Sequence, residues 1–384
     1  MCVRMGSYSS EYSDLPWGVP QGSILGPLLF SVYILPLGDI CRELGVQFHL
    51  YADDCQLYLP LNTSGGLSIS ILTNCLREIK TWMSEHFLSL NDHKTEAILF
   101  APSRHYDSSL TDCGSFNGQL TTSVTNLGVK LDSALSFDTH INGVISSSFF
   151  HLRRLAKIKP FLSRHDRETV VHAFITVRLD YCNSVSFGVS KGSIARLQMV
   201  QNAAARFLEG RRKFDHITPV LAVLQWLPVD VRIHFKILLL VFKTLNGLAP
   251  PYLASLLQPY TPARSLRSEN LVLLSVPRTR LKTGGDGAFA VAGPKLWNEL
   301  PLSIRASTSV AVFQARLKTY FYELSFNLSN QFYCFTYSNL CTHCIFYLVT
   351  QCFYFLDLMF YLYYLISVAP WWHLLPVRRD LHIK

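Results

Sequence analysis

Charged side chains are scarce in this chain: 16% of its 384 residues are Asp, Glu, Lys or Arg, against 49% hydrophobic. That ratio excludes an intrinsically disordered polypeptide, which has too little apolar surface to bury. A disulfide framework is missing too. The ten cysteines are scattered, with four of them between Cys334 and Cys352, a pattern that reads as free intracellular thiols and excludes a disulfide-knit small domain. Met1–Asp14 has no apolar run, so no secretory leader is expected, and no internal repeat is present. The loop Thr279–Gly287, with Arg280 and Lys282, lacks the Gly-Lys-Ser/Thr of a phosphate-binding loop and reads as solvated. Cys341-Thr342-His343-Cys344 fits no standard zinc spacing.

What is present is long enough for two or three domains with real cores. The net charge of +9 is unevenly spread. Residues 1–60 carry −4, residues 325–384 carry +1, and the middle holds +12. Between His151 and Lys213 thirteen Lys/Arg face only Asp166, Glu168, Asp180 and Glu209.

The pattern along the chain predicts an α+β fold. Gly18-Val19-Pro20-Gln21-Gly22-Ser23 reads as a tight loop opening a helix with Leu28, Leu29, Val32 and Leu35, closed by Pro36 and Gly38. From Val46 to Leu59 the hydrophobic period becomes two, which predicts a β-hairpin with Asp53-Asp54 at its tip. Leu72, Cys75, Leu76, Ile79, Trp82 and Met83 share one stripe of a helix over 67–90. Strands are expected at Thr95–Phe100, near Leu120 and across Val124–Leu131. Three helices fill 140–210, the second starting at Ser163 with Asp166 completing a capping box and the third stopping at Gly210. Over 216–325, helical runs such as Val229–Leu245 alternate with proline-rich breaks.

Two adjacent carboxylates at a hairpin tip repel one another and gain little from packing. They suit a divalent cation, Mg²⁺ in particular, which takes one or two carboxylates plus substrate phosphates. Two such ions about 4 Å apart can activate a 3′-hydroxyl and stabilise departing pyrophosphate. Aspartate pairs are also ordinary turn residues, so Tyr51-Ala52-Asp53-Asp54 alone leaves both readings open.

In conjunction, residues 18–27, the following helix and Tyr51-Ala52-Asp53-Asp54 resemble the palm of reverse transcriptases of non-LTR (LINE-type) retrotransposons. Leu90-Asn91-Asp92-His93-Lys94-Thr95-Glu96 is similar to the family's next palm motif, and Asn126-Leu127-Gly128-Val129-Lys130-Leu131-Asp132 resembles its primer-grip segment. Trp226-Leu227-Pro228 and residues 294–301 look like the region that follows the polymerase. The resemblance implies a partial palm (β-hairpin plus helices) over 1–135, a basic all-α thumb-like bundle over 136–215, and a mostly helical retroelement C-terminal region over 216–325. It implies Asp53 and Asp54 as metal-binding catalytic carboxylates, Tyr51 beside the primer end, and Gln21 and Gly22 lining the nucleotide and template pocket. The implied partners are an RNA template, a DNA primer (hence RNA–DNA duplex) and deoxynucleotides. The implied location is nucleus or cytoplasm.

The sequence departs from this pattern where a polymerase palm needs a third carboxylate on a strand before the Gln21-Gly22 loop. The expectation is therefore a truncated RNA-directed DNA polymerase, inactive alone for lack of that aspartate and of the fingers, with Mg²⁺ held only if the third carboxylate is supplied. Arg153, Arg154, Lys157, Arg211 and Arg212 lead an unbalanced basic face suited to a nucleic-acid backbone, together with Lys159, Arg164, Arg167, Arg206 and Lys213. Residues 326–384 are an apolar aromatic tail. Its stretch 345–368 has a single charge, Asp357, and is long enough to span a bilayer core of about 30 Å, with Trp371, Trp372, Arg378 and Arg379 as an interfacial belt and anchor. Two alternatives accompany the polymerase reading: a non-catalytic nucleic-acid-binding remnant, and a membrane-anchored protein held by this tail.

Overall fold

The computed structural model describes residues 2, 4–14, 18–19, 23–61, 66–100, 116, 118, 120–261, 272–279, 285–326 and 379–383. It is a mixed helix-and-strand structure that divides into two compact units: residues 1–121 with 378–384, and residues 122–377.

The first unit opens with a short hairpin, β1 (Arg4–Met5) and β2 (Tyr8–Ser9). Two helices follow, α1 (Gly26–Tyr33) and α2 (Pro36–Glu43). Pro36 therefore opens a helix where the sequence suggested that it closes one. Proline in a first turn loses no hydrogen bond, because that N–H has no intrahelical partner. Gly38 has a packing role instead, since a Cβ there would lie 2.8 Å from the Phe48 ring. The predicted hairpin follows as β3 (Gln47–Tyr51) and β4 (Asp54–Leu61), then the stripe helix α3 (Gly66–Glu85) and the strand β5 (Ala97–Phe100). Leu37 and Cys41 of α2, Leu72, Cys75 and Ile79 of α3, and Leu57, Ala97 and Leu99 of the strands share one core. Among the described residues Cys41, Cys55, Cys75 and Cys182 are free thiols.

The five-stranded sheet has an order that sequence patterning did not show: β3-β4-β9-β5-β6, with β6 at Leu120–Thr121 and β9 at Arg379–Ile383. The connection β4–α3–β5 skips one position, as in a split β-α-β unit. β9 fills that position antiparallel to both neighbours, with Leu59 opposite Leu381 on one side and Leu99 opposite Leu381 on the other. All four residues of β5 are buried, as expected of a strand flanked on both edges and covered on both faces. Arg379, expected to anchor the tail outside a membrane, instead begins this strand. Residues 345–368 lie outside the described residues, among which no helix is long and apolar enough to cross a membrane. Cys341–Cys344 and residues 280–284 also lie outside them.

The second unit starts with a further hairpin, β7 (Ser123–Asn126) and β8 (Val129–Asp132), where one strand was expected. Leu127 and Gly128 both take positive φ, +43° and +82°, which suits a tight mirror-image turn. The Tyr181 hydroxyl donates to the Leu127 carbonyl and braces that turn. The three expected basic helices are α4 (Asp138–Ile158), α5 (Arg164–Val171), which runs through a π-helical turn at His172–Thr176 into α6 (Val177–Asp180), and α7 (Lys191–Glu209). The Ser163–Asp166 capping box forms in both directions, and Gly210 ends α7 at φ +64°.

Beyond α8 (Thr218–Val223), the helix α9 (Val229–Leu245) has the bounds that its apolar run predicted. It is the central helix of this unit, with Ile233, Ile237, Leu238, Leu240, Val241 and Phe242 all buried. After the short α10 (Pro251–Ala254), α11 (Phe289–Glu299) packs on it closely enough that a Cβ on Gly293 would sit 2.9 Å from Val241. Past α12 (Leu302–Arg305), α13 (Val310–Phe326) brings Phe313 onto Phe242, the rings stacked at 4.3 Å.

Candidate functional site

The β3–β4 hairpin closes with Tyr51 opposite Asp54, so Ala52 and Asp53 alone form the loop. Ala52 takes φ +51°, the left-handed conformation that a two-residue hairpin demands at its first loop position. A residue with a Cβ pays about 1 kcal/mol or more there, and such outliers cluster at functional sites. Pairing also sorts the faces. Phe48, Leu50, Cys55 and Leu57 point into the core. Tyr51, Asp54, His49, Gln56 and Tyr58 share the other face, where the His49 and Tyr58 rings stack at 5.9 Å. Burial lowers the His49 pKa to about 4, so this imidazole is neutral at physiological pH.

Tyr51, Asp53 and Asp54 are thus brought together as the sequence suggested, with Asp53 exposed on the loop and Asp54 half-buried as the first residue of β4. Among the described residues, neither carboxylate lies within ion-pair distance of a cation. Gln21 and Gly22 lie outside the described residues. Two adjacent hard oxygen donors are chemically apt for a divalent cation, but among the described residues no group of three or more His, Cys, Asp or Glu could hold one. Asp53 and Asp54 can thus supply two oxygen ligands, with no third carboxylate, histidine or thiol beside them among the described residues.

The other motif residues have structural work. Both Asp132 oxygens are occupied, accepting from the backbone N–H of Ala134, Ser136 and Phe137 and from the Ser136 hydroxyl, which fixes the turn into α4. The Leu227 carbonyl accepts from Gln201 Nε2, and Gln198 Oε1 accepts from the first N–H of α9 at Val229. Trp297 Nε1 donates to the Val272 carbonyl at 2.8 Å, while Asn298 pairs twice with the Leu274 backbone.

The basic residues divide into two sets. Arg164 reaches Glu168 and Glu209, Arg167 donates to the Ser163 and Leu208 carbonyls, and Arg206 donates to the Asp215 carbonyl. These three hold the bundle together. Arg153, Arg154 and Lys157 are exposed along α4, and Arg211 and Arg212 are exposed just after α7. Among the described residues, none of these five makes an ion pair through its side chain. The two groups meet at one end of the bundle, because Lys159 lies over the Phe207 ring at 5.3 Å and its Nζ would be 3.9 Å from a Cβ on Gly210. Both groups of cations thus lie towards one end of the bundle, an arrangement suited to a phosphate backbone. Sequence reading missed the aromatic side chains beside it, Phe150 and Phe174. Their signal was a bulky ring on the solvent side of a basic helix, which core packing alone does not call for.

Residues 7–131 match the family of reverse transcriptases (RNA-dependent DNA polymerases). The chain is 29% identical over 153 residues to the RNA-directed DNA polymerase from mobile element jockey of Drosophila melanogaster, covering 37% of this chain and 16% of that protein. It is 24% identical over 221 residues to the probable RNA-directed DNA polymerase from transposon X-element of the same species, covering 54% and 23%. It is 23% identical over 225 residues to the retrovirus-related Pol polyprotein from type-1 retrotransposable element R1 of Nasonia vitripennis, covering 56% and 66%. The matched stretch thus spans less than a quarter of the first two relatives. No solved structure matches the chain.

Proposed function

We propose, on the premise that residues 7–131 are reverse-transcriptase sequence of the non-LTR retrotransposon kind, that the Tyr51–Asp54 hairpin is one part of a nucleotidyl-transfer site and that the helical unit holds the nucleic acid. The observation that carries this reading is the hairpin tip. Tyr51-Ala52-Asp53-Asp54 sits on a two-residue loop whose first residue, Ala52, is left-handed, presenting two carboxylates with no cationic partner among the described residues. A divalent cation, when bound, would neutralise charge on the triphosphate and the attacking hydroxyl. Asp53 and Asp54 would supply two of its oxygen ligands. The turn holds them in fixed relation to the sheet, and Tyr51, directly across from Asp54, would form the wall beside the primer end. Mg²⁺ is the cation that this donor set suits.

Among the described residues Asp53 and Asp54 have no third carboxylate beside them to complete a two-metal set, so the chain by itself is expected not to extend a primer. The partners in this reading are an RNA template with a DNA primer, and deoxynucleotides. The cationic end of α4 and α7 supports the second part of the proposal, because contacts of that kind grip phosphates irrespective of sequence.

The test is template-primed extension by the purified chain with Mg²⁺, beside Asp53→Ala. No extension by the chain alone is the expected result. Mg²⁺-dependent extension abolished by Asp53→Ala would show that the site is complete and overturn the claim of insufficiency. Extension that survives Asp53→Ala would overturn the assignment of the hairpin itself.

A further inference from the structure

On the outer side of α4, three aromatic rings stand in a row. Phe150 meets His151 edge-on at 5.4 Å, and His151 stacks on Phe174 of the π-helical turn at 5.1 Å with 21° between the ring planes. The rings are open to solvent: Phe150 is 48% exposed and Phe174 is 41% exposed. Cations frame them. The Arg154 guanidinium lies over the Phe150 ring at 5.2 Å, and Arg178 Nη2 is 3.2 Å from His151 Nε2. Among the described residues neither arginine has a carboxylate partner. Phe174 reaches this position from a π-helical turn, whose extra residue per turn leaves Ile175 in the core while Phe174 faces out; such turns recur at functional sites.

A row of exposed rings framed by guanidinium groups without carboxylate partners is costly to keep in water and matches one ligand chemistry well. Unpaired bases offer π-faces, and the strand that carries them offers phosphates. In a duplex the base faces are already stacked and inaccessible. We propose that Phe150, His151 and Phe174, with Arg154 and Arg178, form a platform on which unpaired bases of a single-stranded nucleic acid stack. This rests on the reading that the helical unit holds nucleic acid, and it adds to it a preference between strand forms. The platform lies outside the residues matched to the polymerase family, and it uses contacts different in kind from the phosphate grip of Arg153, Lys157, Arg211 and Arg212.

The experiment measures the affinity of the full chain for a labelled 15-nucleotide single strand, for an abasic strand of the same length, and for an RNA–DNA duplex. The same three ligands are then offered to Phe150→Ala/Phe174→Ala, with thermal melting as the check on folding and Phe150→Trp/Phe174→Trp as the conservative rescue. The double alanine variant should lose about tenfold or more on the base-bearing strand, in line with stacking on aromatic side chains. Its duplex affinity should change less than twofold, the tryptophan variant should recover the loss, and the abasic strand should bind the unaltered chain as weakly as the variant binds bases. Unaltered single-strand affinity in the alanine variant, with nucleic acid still bound, overturns the platform alone. Equal losses on single strand and duplex do the same. If the unaltered chain binds none of the three, the underlying nucleic-acid reading fails, and the platform fails with it. Loss of binding to phosphatidylserine vesicles, with nucleic-acid affinities unchanged, would assign the patch to a membrane surface and overturn it.

Discussion

The two units solve the problem of covering apolar surface in opposite ways. The helical unit closes on itself: α9 is buried nearly all round, and the Phe242, Trp297 and Phe313 rings interlock within one continuous stretch of sequence. The sheet unit borrows. Its central position is filled by β9, whose residues lie more than 270 positions after those of β5, and its first helix α1 buries none of its residues. Leu25, Leu28, Leu29, Val32 and Leu35 all face outward there. The unit with the Tyr51–Asp54 hairpin is therefore the one that depends on distant chain for its integrity. The unit with the cationic end is self-sufficient.

The largest effect should come from breaking the self-sufficient half. Trp297→Ala removes a buried ring that also ties down the Val272 carbonyl, and should cost about 3–5 kcal/mol. Denaturant unfolding should show this loss in the helical unit while hydrogen exchange in β3–β5 is unchanged. Loss in both would dissolve the contrast. A somewhat smaller effect is expected in acid. The folded His49 pKa is lowered to about 4 from an unfolded value near 6.5, so the unfolded chain binds the proton first as pH falls. Stability is then fully present above about 6.5 and is lost progressively towards pH 4, by about 2–3 kcal/mol in the sheet unit. His49→Gln should remove that part of the pH dependence. It should leave the acid sensitivity of the helical unit, where burial also lowers His140, His172 and His234.

Deleting residues 379–384 takes away the strand between β4 and β5. Amide exchange should quicken in β4 and β5 and stay slow in α9. Unchanged protection of β5 would mean that β9 is not what supports it. The smallest change, Ser163→Ala, breaks the capping box of α5 and should cost about 1 kcal/mol in the helical unit only.

Local signals in the sequence carried further than non-local ones. The bounds of α9, the Ser163 cap, the Gly210 stop and the hairpin with its paired aspartates all follow from residues within a turn or two of each other. Pro36 misled because proline both stops one helix and opens the next, and only the packing of Gly38 on Phe48 shows which it does. β9 was illegible for another reason. Arg-Asp-Leu-His-Ile has no strong alternation of its own, and its place follows from the vacancy between β4 and β5, a property of the sheet. At the candidate site, residue types alone pointed to the carboxylates. Which arginines remain available required the structure, because Arg164, Arg167 and Arg206 are as basic as Arg153 and differ only in their partners.

The proposed division of labour between hairpin and helical unit is tested most directly by the salt dependence of binding to an RNA–DNA duplex. The full chain would be compared with Asp53→Asn/Asp54→Asn and with Arg153→Ala/Arg154→Ala/Lys157→Ala. Removing the three cations should weaken binding and flatten the slope of log affinity against log salt by about 2 to 3, close to one per phosphate contact. Removing the two carboxylates should leave the slope unchanged and the affinity equal or slightly higher. A duplex affinity that is insensitive to salt, or lost equally in both variants, would contradict the account.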